Sequence, residues 1–257
     1  MSSASQAKAT RALIESMAGF LQDGKHSDFT IICGDDIYKV HKIVIASLSQ
    51  HFRRAIEFGK EKEENSITLH DDDHDLVKLM IQFMYTIDYD VTTISSASAA
   101  GAASAALAIR VAREADLGHL LDPNHCEYFC LHGFRRQGDS ECPQLLNTAS
   151  AQDLVTHAEL YSLADKYMMQ SLKDLCIEKF KMCCHHYYYY SEALSDAIEA
   201  VYENTPGTDL GLRDVVVELL CQKPELLNKD VIKETLKQYN ELTIAVLMQK
   251  GKELTWW

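Results

Sequence analysis

The sequence predicts an α+β fold in which a small β-sheet packs against helices. Phe29, Ile31 and Cys33 occupy alternate positions, which is the period of a strand that buries one face. From Ile43 onwards, and again in residues 154–175, apolar residues recur every three or four positions, which is the period of an amphipathic helix. The helical pattern covers far more of the chain, so we expect a mostly helical protein.

The elements of the predicted sheet can be justified in chain order. Gly34-Asp35-Asp36 supplies turn chemistry between the first strand and an extended run at Ile37–Val40, so these segments predict a hairpin. Two short helices follow, with a break between Ser47 and Gln50. Ile67 and Leu69 indicate a third strand.

The sequence after the third strand predicts helices. The acids Asp71, Asp72 and Asp73 can cap a helix that carries Leu76, Met80 and Phe83. Two consecutive helices are expected across residues 154–175. Further amphipathic helices follow residue 180, and these are the positions expected to be buried in them: Val201, Leu212, Val216 and Leu219.

Composition excludes several classes of function. The formal net charge of -13 argues against nucleic-acid binding, which depends on phosphate neutralisation by Lys and Arg. No apolar run approaches the roughly 20 residues that span a bilayer, and no secretory signal is evident. We therefore expect no membrane partner, a cytoplasmic or nuclear location, and eight reduced cysteines. Signatures such as G-x-S-x-G and H-E-x-x-H are absent from the sequence, so we predict no enzymatic activity and no cofactor.

Three segments resemble a BTB/POZ domain. They read SDFTIICGDDIYKVHKIVIASLSQHF at 27–52, SITLHDDDHDLVKLMIQFMYTIDY at 66–89 and HAELYSLADKYMMQSLKDLCIEKF at 157–180. The resemblance implies one BTB/POZ domain over residues 11–181, interrupted by a flexible insertion at about 91–150. Residues 1–10 are expected to be disordered. Residues 182–257 form a helical C-terminal extension whose YENTP and LRDVVVELL resemble the tail of a group of fungal BTB proteins.

The resemblance implies a protein–protein interaction module that self-associates, recruits partner proteins, and has no active site of its own. In many relatives the helix before the first strand lies in a homodimer interface. Here that helix carries Leu13, Met17 and Leu21 on one stripe. The alternative is that this stripe packs on its own domain.

The resemblance also implies a charged groove, which falls on Asp28 and on Lys42 beside His41. Asp28 and Lys42 are expected to pair with each other at the bottom of a dimer interface, because an unpartnered charge there would be costly. The alternative is that Asp28 caps a strand or turn and that Lys42 is solvated.

Some BTB proteins bind the N-terminal domain of cullin-3 through a hydrophobic-x-Glu motif before the third strand. The matching loop is IEFGKEKEEN at 56–65, in which the motif is degraded, and Phe58 and Glu61 are the residues that remain to fit it. A substrate adaptor of a cullin-3 ubiquitin ligase is therefore one alternative function, and a solvated acidic loop is the competing interpretation. A BTB-type transcriptional regulator that acts by recruitment is a further alternative.

The insertion contains histidines and cysteines that raise the question of a zinc site. Structural zinc sites offer short paired spacings such as C-x2-C, and this set lacks them. We predict no metal. The only sensible quartet of ligands would be Cys126, Cys130, His132 and Cys142.

Overall fold

The computed structural model describes residues 3–95 and 151–254. The chain divides into two compact units, residues 1–149 and residues 150–257. The predicted insertion at about 91–150, including the quartet of candidate zinc ligands, lies almost entirely outside the described residues.

The described part of the first unit contains three strands and six helices. They are α1 (Ser3–Asp23), β1 (Phe29–Cys33), β2 (Asp36–Val40), α2 (Lys42–Leu48), α3 (Gln50–Glu57), α4 (Lys60–Glu64), β3 (Ser66–Leu69), α5 (His74–Thr86) and α6 (Thr92–Ser95). The strands form one sheet in the order β2-β1-β3. The central strand β1 pairs antiparallel with β2 and parallel with β3. The predicted α+β fold with a small sheet is confirmed.

The strand alternation seen in the sequence corresponds to burial in the sheet. Phe29, Ile31 and Cys33 are all buried, with exposed fractions of 2%, 0% and 1%. The hairpin also forms as predicted, with Phe29 opposite Val40 and Cys33 opposite Asp36. Its turn begins at Gly34, whose φ of 56° lies in the left-handed region that glycine adopts without strain.

Two predicted helix boundaries have clear physical causes. The break between α2 and α3 falls at Ser49, whose side chain accepts a hydrogen bond of 3.1 Å from the Phe52 amide and so caps α3. Among the three consecutive acids it is Asp73 that caps α5. Its Oδ1 accepts from the amides of Asp75 and Leu76 at 2.9 and 3.1 Å.

The structure differs from the sequence prediction at two places in this unit. Residues 1–10 were expected to be disordered, but helix α1 begins at Ser3. Ala4, Ala7 and Ala9 are strong helix formers and extend the helix towards the N-terminus. The acidic segment before β3 was expected to be a loop, yet residues 60–64 form the short helix α4.

All the regular secondary structure in the described part of the second unit is helical. It contains α7 (Asp153–Lys166), α8 (Gln170–Tyr187), α9 (Ser191–Asn204), α10 (Gly211–Gln222), a 3₁₀ helix (Pro224–Asn228), α11 (Asp230–Gln238) and α12 (Asn240–Glu253). The four residues predicted to be buried in its later helices, Val201, Leu212, Val216 and Leu219, are buried.

A charged cluster fixes the loop between α9 and α10. The ammonium of Lys173 lies 2.7 Å from Asp209 Oδ2 and 2.5 Å from Asp165 Oδ1, and the Tyr161 hydroxyl donates to Asp209 Oδ1 at 2.5 Å. The Gly211 amide donates to the same carboxylate at 3.1 Å. Burial alone would lower the pKa of Lys173, but the hydrogen bonds to the two carboxylates raise it above its usual value.

A second cluster surrounds Arg213, whose side chain is only 9% exposed. Its guanidinium donates to the backbone carbonyls of Tyr202 and Thr205 and stacks over the Tyr202 ring at 4.3 Å. It also donates to Glu241 Oε2 at 2.8 Å. This arginine therefore ties α10 to the end of α9 and to the start of α12.

In the residues that the structure describes, no helix combines the length and the apolar character that crossing a membrane would require.

Candidate functional site

Helix α1 has one face that packs and one that does not. It packs on α5, and Ala18 is buried on that side. Leu13 is 63% exposed and Phe20 is 39% exposed, whereas Met17 and Leu21 are half-buried. The predicted stripe is therefore divided, with Leu13 at its most exposed point. Phe20 is also part of the exposed surface.

The end of α1 is held by a histidine that bonds in two directions. His41 Nε2 lies 2.8 Å from the Lys25 carbonyl, and its Nδ1 lies 2.8 Å from the Tyr85 hydroxyl. A carbonyl oxygen only accepts, so Nε2 carries the proton and Nδ1 accepts from Tyr85. The Tyr85 hydroxyl in turn accepts from the His41 backbone amide at 2.8 Å. Burial raises the pKa of Tyr85 to about 12, so it keeps its proton.

The structure brings Asp28 and Lys42 together, but through the backbone. Asp28 Oδ1 accepts from the Lys42 amide at 2.7 Å, which caps the first turn of α2. The Lys42 ammonium donates instead to the side chain of Asn65 and lies 5.9 Å from the centre of the Phe29 ring. The capping alternative thus describes the Asp28 contact, and the groove role of both residues stays a prediction.

An exposed isoleucine continues this corner. Ile43, which follows Lys42 in the first turn of α2, is 82% exposed. The Phe20 ring at the end of α1 lies 6.0 Å from the His41 ring. The exposed side of α1 and the start of α2 are therefore neighbours. Ile43 was missed from the sequence because its spacing fits a buried helical position equally well.

The segment predicted to fit a cullin-binding motif spans the junction of α3 and α4. Phe58 caps the end of α3 and is 68% exposed. Gly59, with a φ of 77°, lets the chain turn directly after it. Glu61 lies in the first turn of α4 and is half-buried. An exposed aromatic residue and a glutamate are thus held three positions apart by two short helices.

The second unit presents tyrosines at the end of α8. Tyr189 and Tyr190 are 56% and 51% exposed, and their ring centres are 4.5 Å apart.

Cys183 and Cys184 lie inside α8 and are buried, and burial raises the pKa of each thiol. These cysteines are therefore core residues.

Comparison with known proteins finds a domain family that matches part of the first unit. Residues 17–116 match the family model of the BTB/POZ domain. The chain is also similar to Kelch-like protein 23 of Homo sapiens and of Pongo abelii, with 28% identity over 136 residues in each case. That match covers 51% of this chain and 24% of either relative, so the chain spans about a quarter of the length of these relatives.

The match and the architecture agree with each other. The described part of the matched range, residues 17–95, holds the whole three-stranded sheet and the last third of α1. The extension of the domain to residue 181 and the fungal grouping stay predictions. Residues 17–116 therefore match a BTB/POZ domain, and the described part of this range has the corresponding fold, a small sheet with surrounding helices.

Proposed function

We propose that this protein is a self-associating interaction module that recruits partner proteins in the cytoplasm or nucleus. The observation that carries the proposal is the unpacked apolar side of α1. Leu13 is 63% exposed there while the opposite side of the same helix packs on α5. Burying apolar surface contributes about 25 cal/mol per Å² before the entropy of association is subtracted.

The corner at Asp28, His41 and Lys42 supports the same surface. His41 holds the carbonyl of Lys25 just beyond α1, so the exposed side of that helix has a fixed position relative to α2. Ile43 adds an apolar side chain that is 82% exposed. A rigid apolar surface of this kind loses little conformational entropy when it binds a second copy.

Sedimentation velocity at micromolar concentration tests self-association. We expect a dimer for the unmodified chain and a monomer for Leu13→Glu, because a carboxylate would have to be buried at the interface. Ala12→Glu is the matched control, since Ala12 is also exposed on α1 but points away from Leu13 by about 100°. If the unmodified chain stays monomeric at tens of micromolar, the proposal that it self-associates is wrong.

A second candidate function is that of a cullin-3 ligase adaptor. Its support is the pair formed by Phe58, which is 68% exposed, and Glu61. This pair deviates by one residue from the hydrophobic-x-Glu pattern that some BTB proteins use. An aromatic side chain exposed to this degree at a helix end is available as an anchor for a partner helix.

Calorimetric titration against the N-terminal domain of cullin-3 tests this candidate. We expect binding in the micromolar range that is lost in Phe58→Ala and weakened in Glu61→Ala. Leu210→Ala serves as the control, because Leu210 is an apolar residue of the second unit that is 55% exposed. Absence of heat at tens of micromolar would reject the adaptor role and leave the self-associating module standing.

A further inference from the structure

Helix α12 has apolar residues on two sides. Leu242 and Val246 are buried in the second unit, and Gly251, which follows Met248 by three positions on the same side as the exposed residues, is buried as well. Ile244, Leu247 and Met248 are 57%, 56% and 51% exposed, and Leu254, directly after the helix, is 57% exposed. We call these four residues the outer stripe. Their spacing of three and four positions keeps Ile244, Leu247 and Met248 on one side of α12.

We propose that the outer stripe of α12 binds the outer stripe of a second copy of this chain, with the two helices antiparallel. The contact is separate from the α1 surface and does not rest on it. A chain with both contacts has two self-complementary surfaces, so it links dimers into larger assemblies.

The charges beside the stripe favour a second copy as the occupant. Glu241 and Lys252 lie 11 positions apart in the sequence, about three helical turns, so they stand on the same side of α12. The Glu241 side chain is 74% exposed although it also bonds Arg213, and Lys252 is exposed. The polar border of the stripe is therefore acidic at one end and basic at the other.

An antiparallel pair uses this polarity twice. A two-fold axis that passes between Leu247 and Met248, perpendicular to the helices, places Glu241 of one copy close to Lys252 of the other. The two residues are then offset by two positions, roughly 3 Å along the helix. The same axis brings the same side of both helices together, so two opposite-charge pairs form. A parallel pair would instead place the two Glu241 side chains at the same end but on opposite borders of the interface, so neither opposite-charge pair would form.

The size of the stripe sets the strength of the contact. A standard protein interface contains about 20–30 residues a side, and the outer stripe supplies four apolar side chains with their charged border. The α12 contact is therefore weak in isolation. Association through α12 is therefore expected only at high concentrations of the chain.

The test is sedimentation velocity of the full chain over a concentration series, in a Leu13→Glu background that removes the α1 surface. We expect concentration-dependent dimerisation that Leu247→Glu weakens at least tenfold and Lys252→Glu weakens about threefold. Leu210→Glu is the control, since it makes the same change at a residue of similar exposure, 55%, that lies outside α12. Circular dichroism establishes that each variant is folded.

Each outcome decides the proposal. Loss of association with Leu247→Glu but not with Leu210→Glu supports it, whatever happens at α1. A background chain that stays monomeric at hundreds of micromolar overturns it, as does equal weakening by both glutamates. In either of those cases dimerisation of the chain with Leu13 intact would still be explained by the α1 surface alone.

Discussion

The two units hold their loops in place with different chemistry. In the first unit the hydrogen-bonded pair His41 and Tyr85 fixes the carbonyl of Lys25, and the Asp28 carboxylate is exposed. In the second unit the Lys173 ammonium, only 12% exposed, lies between the carboxylates of Asp165 and Asp209. The second unit therefore depends on charges removed from water, and we expect the loss of one partner there to cost more stability.

The largest effect is expected for Gly211→Ala in the second unit. A Cβ at this position would lie 2.3 Å from the Tyr161 hydroxyl and 3.1 Å from Ile177 Cδ1. Tyr161 would have to move away from Asp209, so we expect the free energy of unfolding to fall by about 3 kcal/mol. Urea unfolding followed by circular dichroism measures it.

Gly207→Ala is the matched control for this substitution. Its Cβ would meet nothing nearer than Glu241 Oε2 at 3.7 Å, which is an ordinary contact. We expect a change of no more than about 0.5 kcal/mol. Equal effects of the two alanines would show that backbone entropy, and not the clash with Tyr161, decides the result.

The next effect is expected for Lys173→Met. The substitution keeps the apolar stem but leaves the Asp209 carboxylate, 16% exposed, without its cation. We expect a loss of about 2 kcal/mol, less than for a fully buried pair because Asp165 is half exposed. Lys181→Met on the same helix removes an ion pair whose members are 50% and 44% exposed, and should cost well under 1 kcal/mol. A comparable loss in both variants would contradict the comparison.

Acid should destabilise the second unit through His157. Burial lowers the pKa of this histidine to about 3, from an ordinary value of 6.5. At a pH between these two pKa values, His157 is protonated in the unfolded state but not in the folded state. The folded state therefore loses stability as the pH falls through that range. The expected slope is roughly 1 kcal/mol per pH unit. Urea unfolding at pH 7, 6 and 5 measures it, before most carboxylates titrate.

His157→Gln serves as the reference for that titration. The variant has its own stability at pH 7, but it has no imidazole to protonate. Its slope between pH 7 and pH 5 should be smaller than that of the unmodified chain. Identical slopes would assign the acid sensitivity to other groups.

The smallest effect is expected for the hydrogen-bonded pair His41 and Tyr85 of the first unit. Tyr85→Phe removes the hydroxyl that bonds both the Nδ1 and the backbone amide of His41. These groups are only partly buried, so water can replace part of the contact, and we expect a loss of about 1 kcal/mol. Hydrogen exchange at the His41 amide should rise at the same time. A loss as large as that of Lys173→Met would erase the difference between the two units.

Local patterns in the sequence were enough to predict the sheet, most of the helices and several of their core residues. Strand alternation at 29–33, the turn at Gly34 and the capping acid before α5 are local signals, and local signals act through the chain's own backbone. The start of α1 was missed because alanines without a stripe give no periodicity. The helix α4 was missed because its five residues contain no apolar position.

Only the tertiary structure decided which apolar side chains stay on the surface. The spacing of Leu13, Met17 and Leu21 is that of a single stripe, yet Leu13 is far more exposed than the other two. Ile244, Leu247 and Met248 likewise follow the same period as buried residues of α12. Hydrophobic periodicity states that a helix has an apolar side, whereas the presence of a partner for that side depends on elements distant in the sequence.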